Sequence, residues 1–563
     1  MSDSQWARPA AGREPAAAAL LGWLADPTAP RLCLVSGSAG CGKSTLLAWL
    51  VAHGSRPGTP PERRVHAFVP LEGQSVRGAV WTLAEQLGVV ARSPGELVQE
   101  LSGDERRITL VVPGLDAAGD PAALAELVLA LLGLEHTRLL VEAGSNGAVL
   151  PLLTSAGMAV MDLDEAQWTD PARHAAWRSA YPVADLPPAL DEPGPAPWTV
   201  IDLNDPAALC AADPWQVTFA YENAENDHGG LRAAWLHAGQ SLWRDQDSAA
   251  RALTLWAALG DGADPRLGPW LAELAATAPW EVEWTRLRGD VTPPWPGPVM
   301  AMAHGQGPLS GQVLLADHAG SLRTLDTADG TPTGRLPRPV AHARAVAALA
   351  DGTVWALDGQ GRLHAQKSPN APGASGIAAL LDDRPTPTER AAAALTTRLT
   401  HTPGTALAAT STIAAAGDAT GAVHSVAITT GSTATERTAR LHTGRVTTLT
   451  TLELPTGQGQ DTIPLLYSGG ADGTVRVWAP DTQPHPTPVT ERPYPVRALS
   501  ATHTPTGVLL AIGWADGLVE LRRMDTGETR TFRPGPPVNA LALTGDERLL
   551  IGMDESVICL RPR

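Results

Sequence analysis

Gly37-Ser38-Ala39-Gly40-Cys41-Gly42-Lys43-Ser44 fills every fixed position of the pattern G-x-x-x-x-G-K-[ST]. The apolar run Leu32-Cys33-Leu34-Val35 stands before it, and Thr45-Leu46-Leu47-Ala48-Trp49-Leu50 after it reads as a helix. Strand, glycine loop and helix in that order are the context in which backbone N–H groups curl around a polyphosphate. The helix N-terminus adds a partial positive charge to the same spot. Residues 37–45 are thus the expected nucleotide-binding segment: Lys43 reaches the terminal phosphates, and the Ser44 hydroxyl serves Mg²⁺. The chain has only two lysines, Lys43 and Lys367, among 42 basic residues, so a lysine falling here by chance is a poor explanation. The bland alternative is a glycine-rich turn that binds nothing. Cys41 inside the loop reads as a small filler residue.

Working outward, 563 residues provide for two or more domains, each with its own core. A formal charge of −17 argues against nucleic acid or an anionic membrane as the main ligand. The four cysteines, Cys33, Cys41, Cys210 and Cys559, form no C-x-x-C pair and no disulfide framework, which suits a reducing cytoplasm. No signal-peptide pattern opens the chain, and no apolar stretch reaches membrane-spanning length. The expectation is a soluble, cytoplasmic protein.

The first third alternates apolar runs at 32–36, 65–69, 108–112, 138–142 and 158–162 with helical patterns at 14–25, 43–53, 76–87, 94–101 and 121–134. Such alternation predicts a parallel α/β sheet. Asp120 and Pro121 supply an N-cap and a first-turn proline for the last of these helices. Proline-rich stretches at 186–197 and 292–298 divide the chain into an α/β domain (1–185), a linker with a helical module (186–291), and a third domain (292–563). Trp and Leu at helical spacing between 231 and 259 read as a helical core rather than a cofactor site.

Beyond residue 292, short β-like runs recur with Gly/Asp turns. Ala-Asp-His-Ala-Gly320, Leu-Asp-Gly-Gln-Gly361, Gly-Asp-Ala-Thr-Gly421, Gly-Gly-Ala-Asp-Gly473 and Gly-Trp-Ala-Asp-Gly517 share one template, and Asp554-Glu555 closes the series. The intervals are 41, 60, 52, 44 and 38 residues, the length of a four-stranded propeller blade with insertions in the third and fourth units. The fold class expected is therefore multidomain α/β plus all-β, ending in a β-propeller of six or seven blades. The unit around Ser468–Trp478 resembles a WD-repeat blade, and Leu441-His442-Thr443-Gly444 resembles the turn that opens one. The resemblance spans roughly 296–563. It departs from the signature dipeptide, since Ala479 follows Trp478. Asp472 and Asp516 are expected to hold their own hairpin turns. His304, His318, His342 and His442 read as turn or surface residues rather than metal ligands.

Around the phosphate loop the chain resembles the STAND-type P-loop NTPases, of the NACHT and AP-ATPase kind, with Gly12-Arg13-Glu14 similar to their opening motif. In that family a second motif, an apolar strand running into Asp-x-Leu-Asp-Glu, places Mg²⁺ and the attacking water. Here the matching segment ends Pro113-Gly114-Leu115-Asp116-Ala117, so only Asp116 remains. Proline carries no carboxylate and removes a backbone donor. Gly144 stands near the family's polar sensor position, and Glu142 is a substitute carboxylate. Asp116 and Glu142 are the candidate catalytic residues.

The resemblance implies a switch or scaffold that binds ATP or ADP with Mg²⁺ and hydrolyses it weakly or not at all. The propeller would be its sensor or protein-docking surface, in a bacterial conflict or signalling system, with homo-oligomerisation in the active state and any effector on another polypeptide. Two alternatives stand beside it: an active ATPase that uses Asp116 or Glu142, and a pure interaction scaffold whose phosphate loop is a relic.

Overall fold

The structure is a computed structural model that describes residues 9–563 apart from 105, 145–146, 148, 154–156, 181–199, 288–297, 370, 372–384, 430–434 and 457–461. Both proline-rich boundary stretches fall almost wholly outside the described residues. The chain forms two compact units, residues 1–201 with 213–222, and residues 202–212 with 223–563.

In the first unit, five parallel strands are β1 (Leu32–Ser36), β2 (Ala67–Phe68), β3 (Ile108–Val112), β4 (Thr137–Glu142) and β5 (Met158–Asp162), in the order β2-β3-β4-β1-β5. The helices between them include α1 (Glu14–Ala25), α2 (Lys43–Gly54), α3 (Val76–Leu87), α4 (Pro94–Ser102) and α5 (Pro121–Leu132). β1, β3 and β4 are buried along their whole length. This is why they read as mostly apolar runs without alternation: a parallel strand covered by helices has no wet face. α1 and α2 close one face, packing Leu20, Leu24, Leu46, Leu47 and Leu50 against Val35, Val111 and Leu140. The Asp120 side chain accepts from Ala123 N at 3.0 Å, the cap expected for α5. β2, an edge strand, is only two residues long, and His66 and Val69 extend its pairing with β3 through single backbone bonds. β1 connects towards the β2 edge, while its neighbour β4 connects across to β5. The carboxyl ends of β1 and β4 thus form a topological switch point, where open α/β sheets hold their ligands.

The second unit is a six-bladed propeller with helices packed on it. Each repeated turn joins the second and third strands of one blade: Gly320 lies between Gln312–Asp317 and Leu322–Asp326, and Gly473 between Thr462–Gly470 and Thr474–Trp478. Gly473 has φ +74°, and a Cβ there would lie 2.0 Å from Arg492 O, so only glycine fits. The last blade takes its outer strand from β6 (Trp280–Leu287), which pairs antiparallel with Ser556–Pro562. β6 lies before the proline-rich stretch at 292, so the ring closes with a segment from the N-terminal side of the repeats. Among the described residues the second blade has three strands. Ala391, Leu395 and Leu399 of the helix Pro387–His401 pack beside it against Trp355 and Leu357, which accounts for the 60-residue interval in the repeat. The helices between 231 and 274 belong with this unit. Ser241 Oγ donates to Arg533 O at 2.8 Å, and Arg563 donates to Ala275 O at 2.7 Å.

Candidate functional site

β1 delivers the loop at residues 37–44, and α2 begins at Lys43 directly behind it. Gly37 takes φ +144°, Gly40 +75° and Gly42 +95°, so the loop winds through conformations that L side chains resist. A Cβ on Gly37 would sit 2.6 Å from Cys41 Sγ, which fixes the tight curl. Lys43 Nζ folds back to donate to Gly37 O at 3.0 Å and Ser38 O at 2.9 Å. Two outside groups hold the loop. Arg13 donates to Cys41 O at 2.5 Å, Leu163 O at 2.9 Å and Thr169 Oγ1 at 2.8 Å. Asp164 accepts from Ser38 N at 2.7 Å and from Ser38 Oγ at 2.8 Å. Arg13 was singled out by its motif. Asp164 was not, because it comes 126 residues later at no diagnostic spacing.

Opposite the loop stand the two candidate carboxylates. Glu142 ends β4, in register with Val35 of β1, and its Oε1 accepts from Ser44 Oγ at 3.0 Å. The residue is only 7 % exposed, and Oε2 is buried with no hydrogen-bond partner. Burial pushes the carboxyl above its ordinary value, against the pull of the Ser44 hydroxyl and the Lys43 charge. Asp116 sits on the short turn after β3, opened by Gly114 at φ +73°. Its Oδ2 accepts from Gly144 N at 2.6 Å, while Oδ1 is buried and unpartnered. Pro113 and Ala117 lie in the same turn and carry no carboxylate. Their carbonyls accept from Leu71 N and Gly73 N, so both positions do backbone work only. The structure therefore gathers the loop, Asp116, Glu142 and Gly144 at one end of the sheet. A buried oxygen without a partner is costly, and Glu142 and Asp116 each keep one, Glu142 beside the Ser44 hydroxyl.

In the propeller the singled-out residues are tied into the fold. Asp472 Oδ1 accepts from Thr474 N at 3.1 Å and Thr474 Oγ1 at 2.8 Å, and Oδ2 from Thr443 N at 2.9 Å. His442 is buried, not a surface residue, with Nδ1 3.1 Å from Asp472 Oδ1 and Nε2 2.8 Å from Ser468 Oγ. Trp478 donates to Thr482 O at 3.0 Å across the turn begun by Ala479. Asp516 accepts from Leu518 N at 3.4 Å in its own turn. It also receives Arg492 at 3.0 and 2.8 Å and Arg533 at 2.8 Å, two partners that no local pattern announces. His304 is half-buried near a strand end, while His318 and His342 are exposed. Among the described residues, no cluster of three or more His, Cys, Asp or Glu is placed to hold a metal. No helix among them is long and apolar enough to cross a membrane.

No family model matches this chain, and no curated protein matches it either. Among solved structures, the crystal structure of the computationally designed Ika8 protein matches at 19 % identity with a TM-score of 0.28, covering 47 % of this chain and 71 % of that one. The structure of U3-55K matches at 13 % identity with a TM-score of 0.30, covering 50 % of this chain and 98 % of that one.

Proposed function

We propose that the α/β unit binds ATP or ADP with Mg²⁺ and serves as a STAND-type switch or scaffold with little or no hydrolysis, while the propeller docks another protein. The observation that carries this reading is the loop at 37–44. It sits at the carboxyl end of β1, at the switch point, with Lys43 Nζ resting on loop carbonyls that a phosphate would displace it from. Ser44 and the unpartnered oxygens of Glu142 and Asp116 would hold Mg²⁺, which supplies charge neutralisation at the phosphates. Identification of nucleotide co-purifying with the full chain, followed by calorimetry with ATP and ADP, tests the reading. Binding is expected in the wild type and lost in Lys43→Ala; no bound nucleotide and no heat would sink it.

One observation favours a working NTPase instead: Glu142 stands in hydrogen-bond contact with Ser44, so a carboxylate is present although Pro113 and Ala117 provide none. That reading requires turnover that disappears in Glu142→Gln or Asp116→Asn while nucleotide binding persists. Equal turnover in wild type and variants would remove it.

A further inference from the structure

The turn that follows β5 is built against the first residues of the phosphate loop. β5 runs beside β1 with Asp162 opposite Ser36, and Leu163 N donates to Ser36 O at 2.9 Å. The next residue is Asp164, whose carboxylate takes both donors of Ser38: the backbone N–H at 2.7 Å and the hydroxyl at 2.8 Å. A Cβ on Gly37 would lie 3.6 Å from Asp164 Oδ1, so the carboxylate also borders the curl of the loop. Its position is fixed from behind, because Asp164 N donates to Asp162 Oδ1 at 3.1 Å.

Lys43 meets the same serine from the other side, with its ammonium 2.9 Å from Ser38 O. Ser38 thus carries an acid on its N–H and hydroxyl and a cation on its carbonyl. Among the described residues neither Asp164 nor Lys43 stands in an ion pair. Arg13 reaches Leu163 O, but it spends its contacts on carbonyls and the Thr169 hydroxyl rather than on Asp164. Asp162 and Glu165 add two further acids to the same turn, so no basic residue offsets Asp164 from within it. Asp164 also makes no contact with Ser44, Glu142 or Asp116, the residues proposed to hold Mg²⁺. Its charge is left to act on whatever the loop binds.

We infer that Asp164 is a specificity-determining residue of the nucleotide site, whose charge disfavours a third phosphate, so that the site takes a nucleoside diphosphate in preference to the triphosphate. The inference rests on the reading of residues 37–45 as a nucleotide-binding segment. Lys43 is the group that reaches terminal phosphates, and Asp164 is held on the residue where that ammonium rests. Each further phosphate brings negative charge towards this carboxylate, and like charges repel by an amount that water and salt reduce. An added phosphate also finds the Ser38 N–H and hydroxyl already taken. Because Asp164 is exposed, solvent limits the effect to a bias between two ligands. Specificity of this kind comes from a repulsive element set against the competitor.

Calorimetry on the full chain with ADP and with ATP, each in excess Mg²⁺, tests the inference. At low ionic strength the wild type should bind ADP about five-fold or more tighter than ATP. Asp164→Asn keeps an oxygen to accept from Ser38 and removes the charge. It should tighten ATP by about the same factor, leave ADP within about two-fold, and so close the gap. Salt gives a second readout that needs no variant: raising it from about 0.05 M to about 0.5 M should narrow the gap in wild type. In Asp164→Asn the two affinities should keep their ratio across that range. Equal affinities in wild type, tighter binding of ATP, an ATP affinity unchanged or weakened in Asp164→Asn, or a gap indifferent to salt would overturn the inference and leave nucleotide binding at the loop standing. No binding of either nucleotide to wild type or variant would remove the nucleotide reading, and this inference with it.

Discussion

Glu142 and Asp116 in the α/β unit, and Asp472 and Asp516 in the propeller, are four carboxylates at strand ends with opposite surroundings. The propeller pair is saturated: backbone N–H groups, hydroxyls and guanidiniums face their oxygens, and both pKa values are held low although burial works the other way. The α/β pair keeps one buried oxygen each without a partner, and burial raises the pKa of Glu142. A satisfied carboxylate explains itself as architecture. An orphaned one is a cost to the fold. The same residue type at the end of an apolar strand thus has two meanings, told apart by its partners.

That contrast can be broken most forcefully at Asp516. Asp516→Ala leaves Arg492 and Arg533 beside an empty position and should cost about 3–5 kcal/mol in denaturant unfolding. A loss under ~1 kcal/mol would show that the triad is replaceable. Asp472→Ala removes the acceptor of Thr443 and Thr474 and a partner of His442, with an expected cost of about 1–3 kcal/mol by the same measurement.

The pH response should separate the propeller pair from Glu142 by sign. The stabilisation from Asp472 and Asp516 is present above the ordinary carboxyl value of 3.8 and is lost as pH falls through their lower folded values. Glu142 is raised above 4.5, so its contribution is fully favourable below that value and declines as pH rises through the folded pKa. Denaturation midpoints from pH 3 to 8 should therefore fall at the acid end in wild type, and this fall should be smaller in Asp472→Asn. The smallest effect is expected from Glu142→Gln. It should stabilise the protein by up to about 1 kcal/mol near pH 7 and leave acid stability unchanged. A clear destabilisation at pH 7 would place Glu142 with the architectural group.

Much of this was legible in advance where local chemistry is strong. The five strands of the sheet, the α5 cap at Asp120, the loop at 37–44 and the six repeated turns follow from periodicity and turn residues within a few positions of one another. β6 was not legible as a blade strand, because its partner Ser556–Pro562 lies about 270–280 residues away and no repeat marks it. The helix Pro387–His401 showed only as a long interval. At the site, Lys43 and Ser44 come from motif spacing, Asp116 from the family resemblance, and Glu142 from its place at a strand end. Asp164 required the fold, as did the arginines of Asp516, because their partners are brought together by packing rather than by sequence separation.

The sequence by itself determined the α/β class, the repeat architecture and the glycine loop, since backbone conformation and hydrophobic period are written over a few neighbouring residues. Only the tertiary structure decided the number of blades, the closure by β6 and the contact of Asp164 with Ser38. It alone also showed which carboxylates are satisfied, because each of these depends on which distant strands lie side by side.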